Sequence, residues 1–390
     1  MKPRLLYLGD FLPGADSGGA LVLDRHLRRL AREGWDVTVS VPAAAIKSRP
    51  ADAPYATRPL ARRRFWWPPA DPRWPSTQRL RALLWARATV ADPSWATPPD
   101  AILTVLWGYA SLSAARAAAA WGTPLAVIVH DLFRELHLPA AQAAACERLA
   151  GDVLATAGRV WPVSEEMRAI LAPQVRRGAI STLPPVPDDA AAPAGGWQPR
   201  FRAAPVVAHA GAMHAHHVDY LVAVAAAAAR HGGSLLVVTP TDNPALALLR
   251  ATGTAFRHQP AFATSAEALA FLAREATALT VMYPLAPVDE KNPPTGFPSR
   301  VLEFSHLGLP MIFAAPPGNP LHNWARRQDW PLVLERADWP ALNAFVALLA
   351  DESHWTSLAA RMRALAARAC DPEKIHRQFL AELPRRTAPL

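Results

Sequence analysis

Short apolar runs alternate with amphipathic segments over 4–41 and 101–171, and again over 206–283, and this limits the fold more than any other feature. The first copy opens with an apolar run at 4–9, a glycine-containing loop at 10–19, an apolar periodicity of helical spacing at 20–33 and a second run at 37–41. Apolar runs at 101–106, 125–129 and 159–163 follow, separated by helical patterns at 110–121 and 139–157, and Ser164 stands as a cap before a helix at 165–171. A run of about five buried residues followed by an amphipathic helix is the signature of a parallel sheet with right-handed crossovers. The expected fold class is therefore α/β, with two Rossmann-like doubly wound domains.

The break between the copies is compositional. Residues 181–205 concentrate Pro, Gly and Ala without helical or strand period, and read as a linker. The expected division is an N-terminal domain at 1–180, the linker at 181–205 and a C-terminal domain at 206–370. A last helical segment, 371–390, has the option of packing back on the N-terminal domain. At 390 residues the chain is too long for one ordinary domain, so two domains are the natural reading.

Charge and cysteine usage narrow the partners. The net charge of +9 favours an acidic one: a nucleotide, a nucleic acid or an anionic membrane surface. Cys146 and Cys370 match neither a disulfide framework nor a zinc ligand set, which suits a reducing compartment. No apolar run approaches the roughly 20 residues a membrane span needs, and 1–10 lacks a signal-peptide core. A cytoplasmic protein is expected, with the inner face of the membrane as a place it visits.

Residues 46–99 depart from the βα rhythm, and set Arg62, Arg63, Arg64, Phe65, Trp66 and Trp67 side by side. Basic groups beside indoles suit a membrane interface, while the plain alternative is an ordered irregular loop; nucleic acid is not expected. If acceptor contacts exist there, Arg64, Trp66 and Trp67 are their candidates.

The richest segment for chemistry is 295–315. Ser299, Arg300 and Glu303 fall on the first turns of a short helix that Gly308 ends before an apolar run. A helix start supplies free N–H groups and partial positive charge. Ser299 and Arg300 therefore suit an anionic diphosphate, and Glu303 could accept from ribose hydroxyls. Gly18 and Gly19 precede the first helix, where a bare backbone admits an anion. His130 and Asp131 end an apolar strand, on the side where ligands lie in doubly wound sheets. No nucleophile elbow, phosphate-binding Walker loop or convincing dinucleotide fingerprint is present.

These residues together resemble the retaining, metal-independent glycosyltransferases of the GT-B fold, in particular the large family 4. The resemblance is carried by Gly18 and Gly19, His130 and Asp131, and the Ser164-Glu165-Glu166-Met167 run. The Gly211 loop and the Pro298-Ser299-Arg300 block with Gly308-Leu309-Pro310 complete it. It implies two domains facing a central cleft, with the nucleotide-sugar donor mainly on the C-terminal domain and the acceptor, a glycan or lipid-linked hydroxyl, mainly on the N-terminal one. It implies no cofactor and no metal.

Residue by residue, the resemblance makes His130, Arg300 and Glu303 the catalytic candidates. Gly18, Gly19, Gly211, His216, Thr295, Gly296, Phe297 and Ser299 become donor-binding candidates. Asp131, an acceptor-side candidate with Arg64, Trp66 and Trp67, either orients His130 or caps the next segment. Two departures stand out. Thr295 occupies the place of the motif's first glutamate, and Ala212 with His216 or His217 replaces the usual arginine and lysine clamp. A neutral imidazole donates one hydrogen bond but no fixed charge, so leaving-group stabilisation would depend on histidine protonation. The His214, His216 and His217 cluster lacks a carboxylate or cysteine arrangement to complete a standard metal site.

The expected function is transfer of a sugar from a nucleoside diphosphate sugar to a hydroxyl, with retention, in surface polysaccharide or glycolipid assembly. Two alternatives stay open: a catalytically degenerate nucleotide-sugar binder or partner subunit, and a nucleotide-sugar epimerase.

Overall fold

A computed structural model describes residues 2–14, 18–48, 52–60, 75–133, 139–191, 196–286, 288 and 294–386. The chain divides into two compact units. One comprises Met1–Val186, Thr295–Phe297 and Glu373–Leu390, the other Pro187–Pro294 and Pro298–Pro372.

The first unit runs β1 (Arg4–Leu8), α1 (Gly18–Arg32), β2 (Asp36–Val41), β3 (Ala56–Pro59), α2 (Pro75–Val90), β4 (Ala101–Val105) and α3 (Tyr109–Trp121). It continues through β5 (Leu125–Val129), α4 (Ala140–Leu154), β6 (Arg159–Pro162), α5 (Glu165–Leu171) and β7 (Ala179–Ile180). Its seven strands are all parallel, in the order β3-β2-β1-β4-β5-β6-β7. Every residue of β4 and β5 is buried, as expected of strands covered on both faces. Sequence neighbours β1 and β2 run to one side and β4 to the other, so the order reverses between β1 and β4. In doubly wound sheets the ligand crevice lies outside the carboxyl ends at such a reversal.

Two elements fall where the sequence reads as irregular. Within 46–99 the chain forms β3, which adds an edge to the sheet beside β2, and the sixteen-residue α2, which packs on α3. The Ser113 hydroxyl donates to the Ala82 carbonyl across that packing, at 3.0 Å. Residues 56–59 and 75–90 of the rhythm-breaking segment are thus part of the unit's framework.

The second unit runs β8 (Val206–Ala210), α6 (Val218–Arg230), β9 (Ser234–Val238), α7 (Pro244–Ala251), β10 (Arg257–Gln259), α8 (Ser265–Glu275) and β11 (Ala278–Met282). Then come α9 (Ser299–Ser305), β12 (Met311–Ala314), α10 (Pro320–Arg327), β13 (Val333–Leu334), α11 (Trp339–Ala350) and α12 (Glu352–Ala369). Six parallel strands lie in the order β10-β9-β8-β11-β12-β13, and the reversal falls between β8 and β11. Helix starts are set by side-chain caps. Thr264 and Glu267 make a reciprocal capping box on α8, and Asn243 and Asn319, each followed by proline, cap α7 and α10.

The last helix, α13 (Pro372–Glu382), belongs to the first unit from Glu373 onward. Arg29 pairs with Glu373 at 2.5 Å, and Trp161 Nε1 donates to Glu382 Oε2 at 2.7 Å. The buried His26 and His376 share a hydrogen bond of 3.0 Å between their Nδ1 atoms, and both rings lie against Phe379. Among the described residues, no helix is long and apolar enough to cross a membrane.

Candidate functional site

The first unit gathers its candidates at the carboxyl ends of its strands. β5 ends at Val129, and His130 follows directly against the start of α1: a Cβ on Gly19 would lie 2.9 Å from His130 Cδ2. Glycine leaves the ring its place here, because any side chain would push against it. Burial holds the His130 imidazole down to about 4, so it is neutral near pH 7. Its Nε2 is buried with no hydrogen-bond partner among the described residues. A buried ring nitrogen left without a partner is costly in a finished core. Gly18 and Asp131 are exposed on either side of this contact.

Asp10, which the sequence reading passed over, sits at the reversal between β1 and β4. Its carboxylate accepts from the Ala110 amide at the start of α3, at 3.1 and 3.3 Å for its two oxygens. Burial pushes the carboxyl up to about 6, against the opposing effects of that amide and of the Arg81 charge. Trp107, between β4 and α3, keeps 42% of its surface exposed, unusual for an indole beside a sheet end. An acidic residue just after a Gly-ending strand reads as an ordinary turn, so the only signal for Asp10 is its place after β1. A cavity of about 250 Å³ has apolar walls that include Leu106, Leu132, Phe133 and Leu171 and polar ones from Glu147 and Gln174.

Thr295, Gly296 and Phe297, expected among the donor contacts of the C-terminal domain, are grouped with the first unit. Thr295 is fully buried and its carbonyl accepts from the Ser164 hydroxyl at 2.6 Å, while the same oxygen of Ser164 caps α5 by accepting from Met167. Phe297 packs on the apolar core of that unit. The Ser164 hydroxyl and the Phe297 ring are among the contacts that hold this segment to the unit.

The second unit gathers Gly211, His216, Ser299, Arg300 and Glu303. Arg300 Nη1 donates to the Ala210 carbonyl at the end of β8, at 3.0 Å. Gly211 follows with φ +107°, and a Cβ on it would lie 3.2 Å from the same Nη1. Conformation and space therefore both call for glycine. Desolvation lowers the Arg300 pKa, opposed by Tyr283 and Glu303. Ser299 opens α9 and Glu303 lies one turn further, but α9 is only seven residues long.

Between β8 and α6 the histidines crowd together. His216 and His217 have ring centroids 4.3 Å apart, His214 and His217 5.3 Å, and His214 stacks on His216 at 5.4 Å and 15°. His209, inside β8, lies 5.7 Å from His217. Burial is the main reason His209 is held down to about 3, with the Arg300 charge adding to it. Among the described residues no group of three or more His, Cys, Asp or Glu side chains is placed to hold a metal ion. Arg64, Trp66 and Trp67 lie outside the described residues.

Residues 17–186 match the glycosyl transferase 4-like domain family. No curated protein matches the sequence significantly. Among solved structures the chain is similar to Anabaena HepE in complex with UDP-glucose, at 13% identity and TM-score 0.65, over 97% of this chain and 98% of that one. It is similar to a glycosyltransferase from Rickettsia africae at 11% identity and TM-score 0.67, over 97% of each chain. A UDP-forming α,α-trehalose-phosphate synthase from Burkholderia xenovorans gives 13% identity and TM-score 0.65, over 98% of this chain and 99% of that one. The shared architecture is the GT-B fold, with two Rossmann-like units.

Proposed function

Because residues 17–186 form a glycosyl transferase 4-like domain and the whole chain has the GT-B fold, we propose that this protein moves a sugar from a nucleoside diphosphate sugar to a hydroxyl acceptor with retention. The observation that carries the reading is the second unit's reversal point, where Arg300 is held by the Ala210 carbonyl beside the bare backbone of Gly211. A guanidinium fixed by one bond keeps its remaining N–H groups oriented for phosphate oxygens. The nucleotide is assigned to this unit, with Ser299 and His216 as further donors to the diphosphate and Glu303 as acceptor for ribose. Arg300 takes the charge-stabilising role that a metal fills in other transferases.

The first unit is assigned the acceptor side. His130 offers its unpartnered Nε2 to a sugar hydroxyl. With a pKa of about 4 it is a poor base for an acceptor hydroxyl, which favours a route in which the departing diphosphate oxygen takes that proton itself. The bond from the anomeric carbon to the diphosphate breaks, the acceptor oxygen bonds to the same carbon, and its proton passes to the leaving oxygen. Acceptor and leaving group then share one face of the sugar, which is retention. The cavity behind Leu132 and Phe133, largely apolar but also lined by Glu147 and Gln174, supports an acceptor that joins an apolar group to polar ones, in line with glycolipid or surface polysaccharide assembly at the inner face of the membrane.

One observation favours a second reading. Asp10, with its pKa near 6, is a fit base for an acceptor hydroxyl and would give inversion. Proton NMR of the first-formed product separates the two, since the anomeric coupling reports retention or inversion directly. Release of nucleoside diphosphate only when acceptor is present supports transfer, interconversion of donors supports epimerisation, and donor binding without turnover supports a degenerate binder.

A further inference from the structure

The histidines after β8 are wired so that their protons are not interchangeable. His217 Nδ1 accepts from the His214 backbone N–H at 3.2 Å, while the His217 backbone N–H donates to the His214 carbonyl at 2.9 Å. An imidazole nitrogen that accepts a hydrogen bond carries no proton, so the His217 ring gains a second proton only by giving up that bond, and burial also disfavours its charged form. His209 is buried within β8 behind them. His216 is different. It is exposed, and its contacts among the described residues are ring contacts with His214 and His217. It accepts a proton without breaking a hydrogen bond of the loop such as that of His217, and without the proton entering the core, as it would to reach His209.

Its surroundings keep it neutral in the free protein. Partial burial and His214 both lower its pKa. The charged and titratable groups on the packed elements are His209 from β8, His214 and His217 from its own loop, Arg300 and Glu303 from α9, and Tyr283 after β11. Among the described residues, Asp219 in the first turn of α6 and Asp242 beside the α7 cap are added to these. The loop itself is fixed by Asn243 Nδ2, which donates to the Met213 carbonyl at 3.1 Å. The loop stands at the reversal between β8 and β11, where a ligand of this sheet is expected.

We propose that His216 takes up one proton when the second unit binds a diphosphate, so that anion and proton enter the site together. The inference rests on the donor reading above and adds to it a binding mode in which a switchable cation stands where a fixed one is usual. Negative charge beside the ring favours imidazolium, and imidazolium in turn holds the diphosphate. By linkage, affinity tightens by roughly tenfold per pH unit wherever His216 is protonated only in the complex.

The test is calorimetric titration of the full chain with UDP-glucose, GDP-mannose and ADP-glucose, whose diphosphates are diesters and do not titrate near neutrality. Each titration is run at pH 7.5 in two buffers of different ionisation enthalpy, and the affinity of the tightest donor is followed from pH 8 to pH 6. Uptake of about half to one proton is expected, with affinity rising as pH falls. His216→Gln should bind more weakly with no uptake. His216→Lys should bind tightly at pH 8, again with no uptake. His214→Asn should retain the uptake. Binding without proton uptake, or uptake that survives in His216→Gln, overturns the proposal and leaves the donor reading intact. A folded protein, with His216→Lys included, that binds none of the three at any pH overturns both.

Discussion

Gly19 and His130 are in contact across the sheet end: the imidazole occupies the space where a Cβ on residue 19 would stand, 2.9 Å from Cδ2. The first turn of α1 and the residue after β5 are thereby set against each other by the absence of one methyl group. Gly19→Ala should displace the ring by several tenths of an ångström. Since small misplacements of reacting groups are costly, nucleoside diphosphate release should fall about 10- to 100-fold. The melting temperature should change by only a few degrees. Steady-state rates and thermal unfolding of the same preparation check both halves.

A different outcome is expected for Asp10. Its folded pKa, about 6, lies above the ordinary value of 3.8, so the charged carboxylate disfavours the fold by roughly 2–3 kcal/mol at pH 8. The sign follows from proton counting: between these two values the folded state binds more protons, so this contribution to stability is lost as pH rises through 6. Asp10→Asn keeps an acceptor for the Ala110 amide and removes the charge. It should raise the melting temperature by about 5 °C at pH 8, with the gain roughly halved by pH 5. A gain that is independent of pH would contradict this assignment.

The buried pair His26 and His376 predicts the opposite pH trend. Burial lowers the pKa of His26 foremost, with His376, Arg29, His130 and Arg25 adding to it. Below the ordinary value of 6.5 the unfolded chain binds the extra proton and the folded one resists it, so stability falls as pH drops. The first unit should lose about 1.4 kcal/mol per pH unit below 6.5 for each imidazole kept neutral. Replacing the pair as His26→Phe with His376→Leu should flatten that dependence, measured by urea unfolding from pH 7 to pH 5.

Much of this was legible in the sequence where signals coincide. β5 and α5 agree to the residue, because β5 is an unbroken apolar run and Ser164 caps α5. The short strands β10 and β13, of three and two residues, are too brief for any period to register. α2 escaped because its apolar residues form no stripe and prolines surround it. The site was legible by residue type rather than by arrangement. His130, Gly19, Gly211 and Arg300 announce themselves at strand ends and helix starts. The hydrogen bond from Ser164 to Thr295 joins residues 131 apart in sequence, and no local pattern encodes it.

Gly211→Ala should act on stability and donor binding at once. A side chain at φ +107° is strained, and its Cβ would press on Arg300 Nη1. A loss of about 1–3 kcal/mol is expected, with weaker donor binding. Arg300→Lys should preserve the fold yet weaken binding, because one ammonium cannot hold the Ala210 carbonyl and also present a fork to phosphate. Circular dichroism melts beside binding isotherms separate the two variants.

The most direct measurement is a titration of the purified chain with UDP, GDP, ADP and TDP and their common sugars, without added divalent metal, repeated on Arg300→Ala and Glu303→Ala. The account predicts that one nucleotide family binds, that Arg300→Ala weakens it about 100-fold, and that Glu303→Ala weakens it less, with both variants folded. Wild-type protein that is folded and binds no nucleotide, or Arg300→Ala that binds as well as wild type, would contradict the assignment of the donor to the second unit.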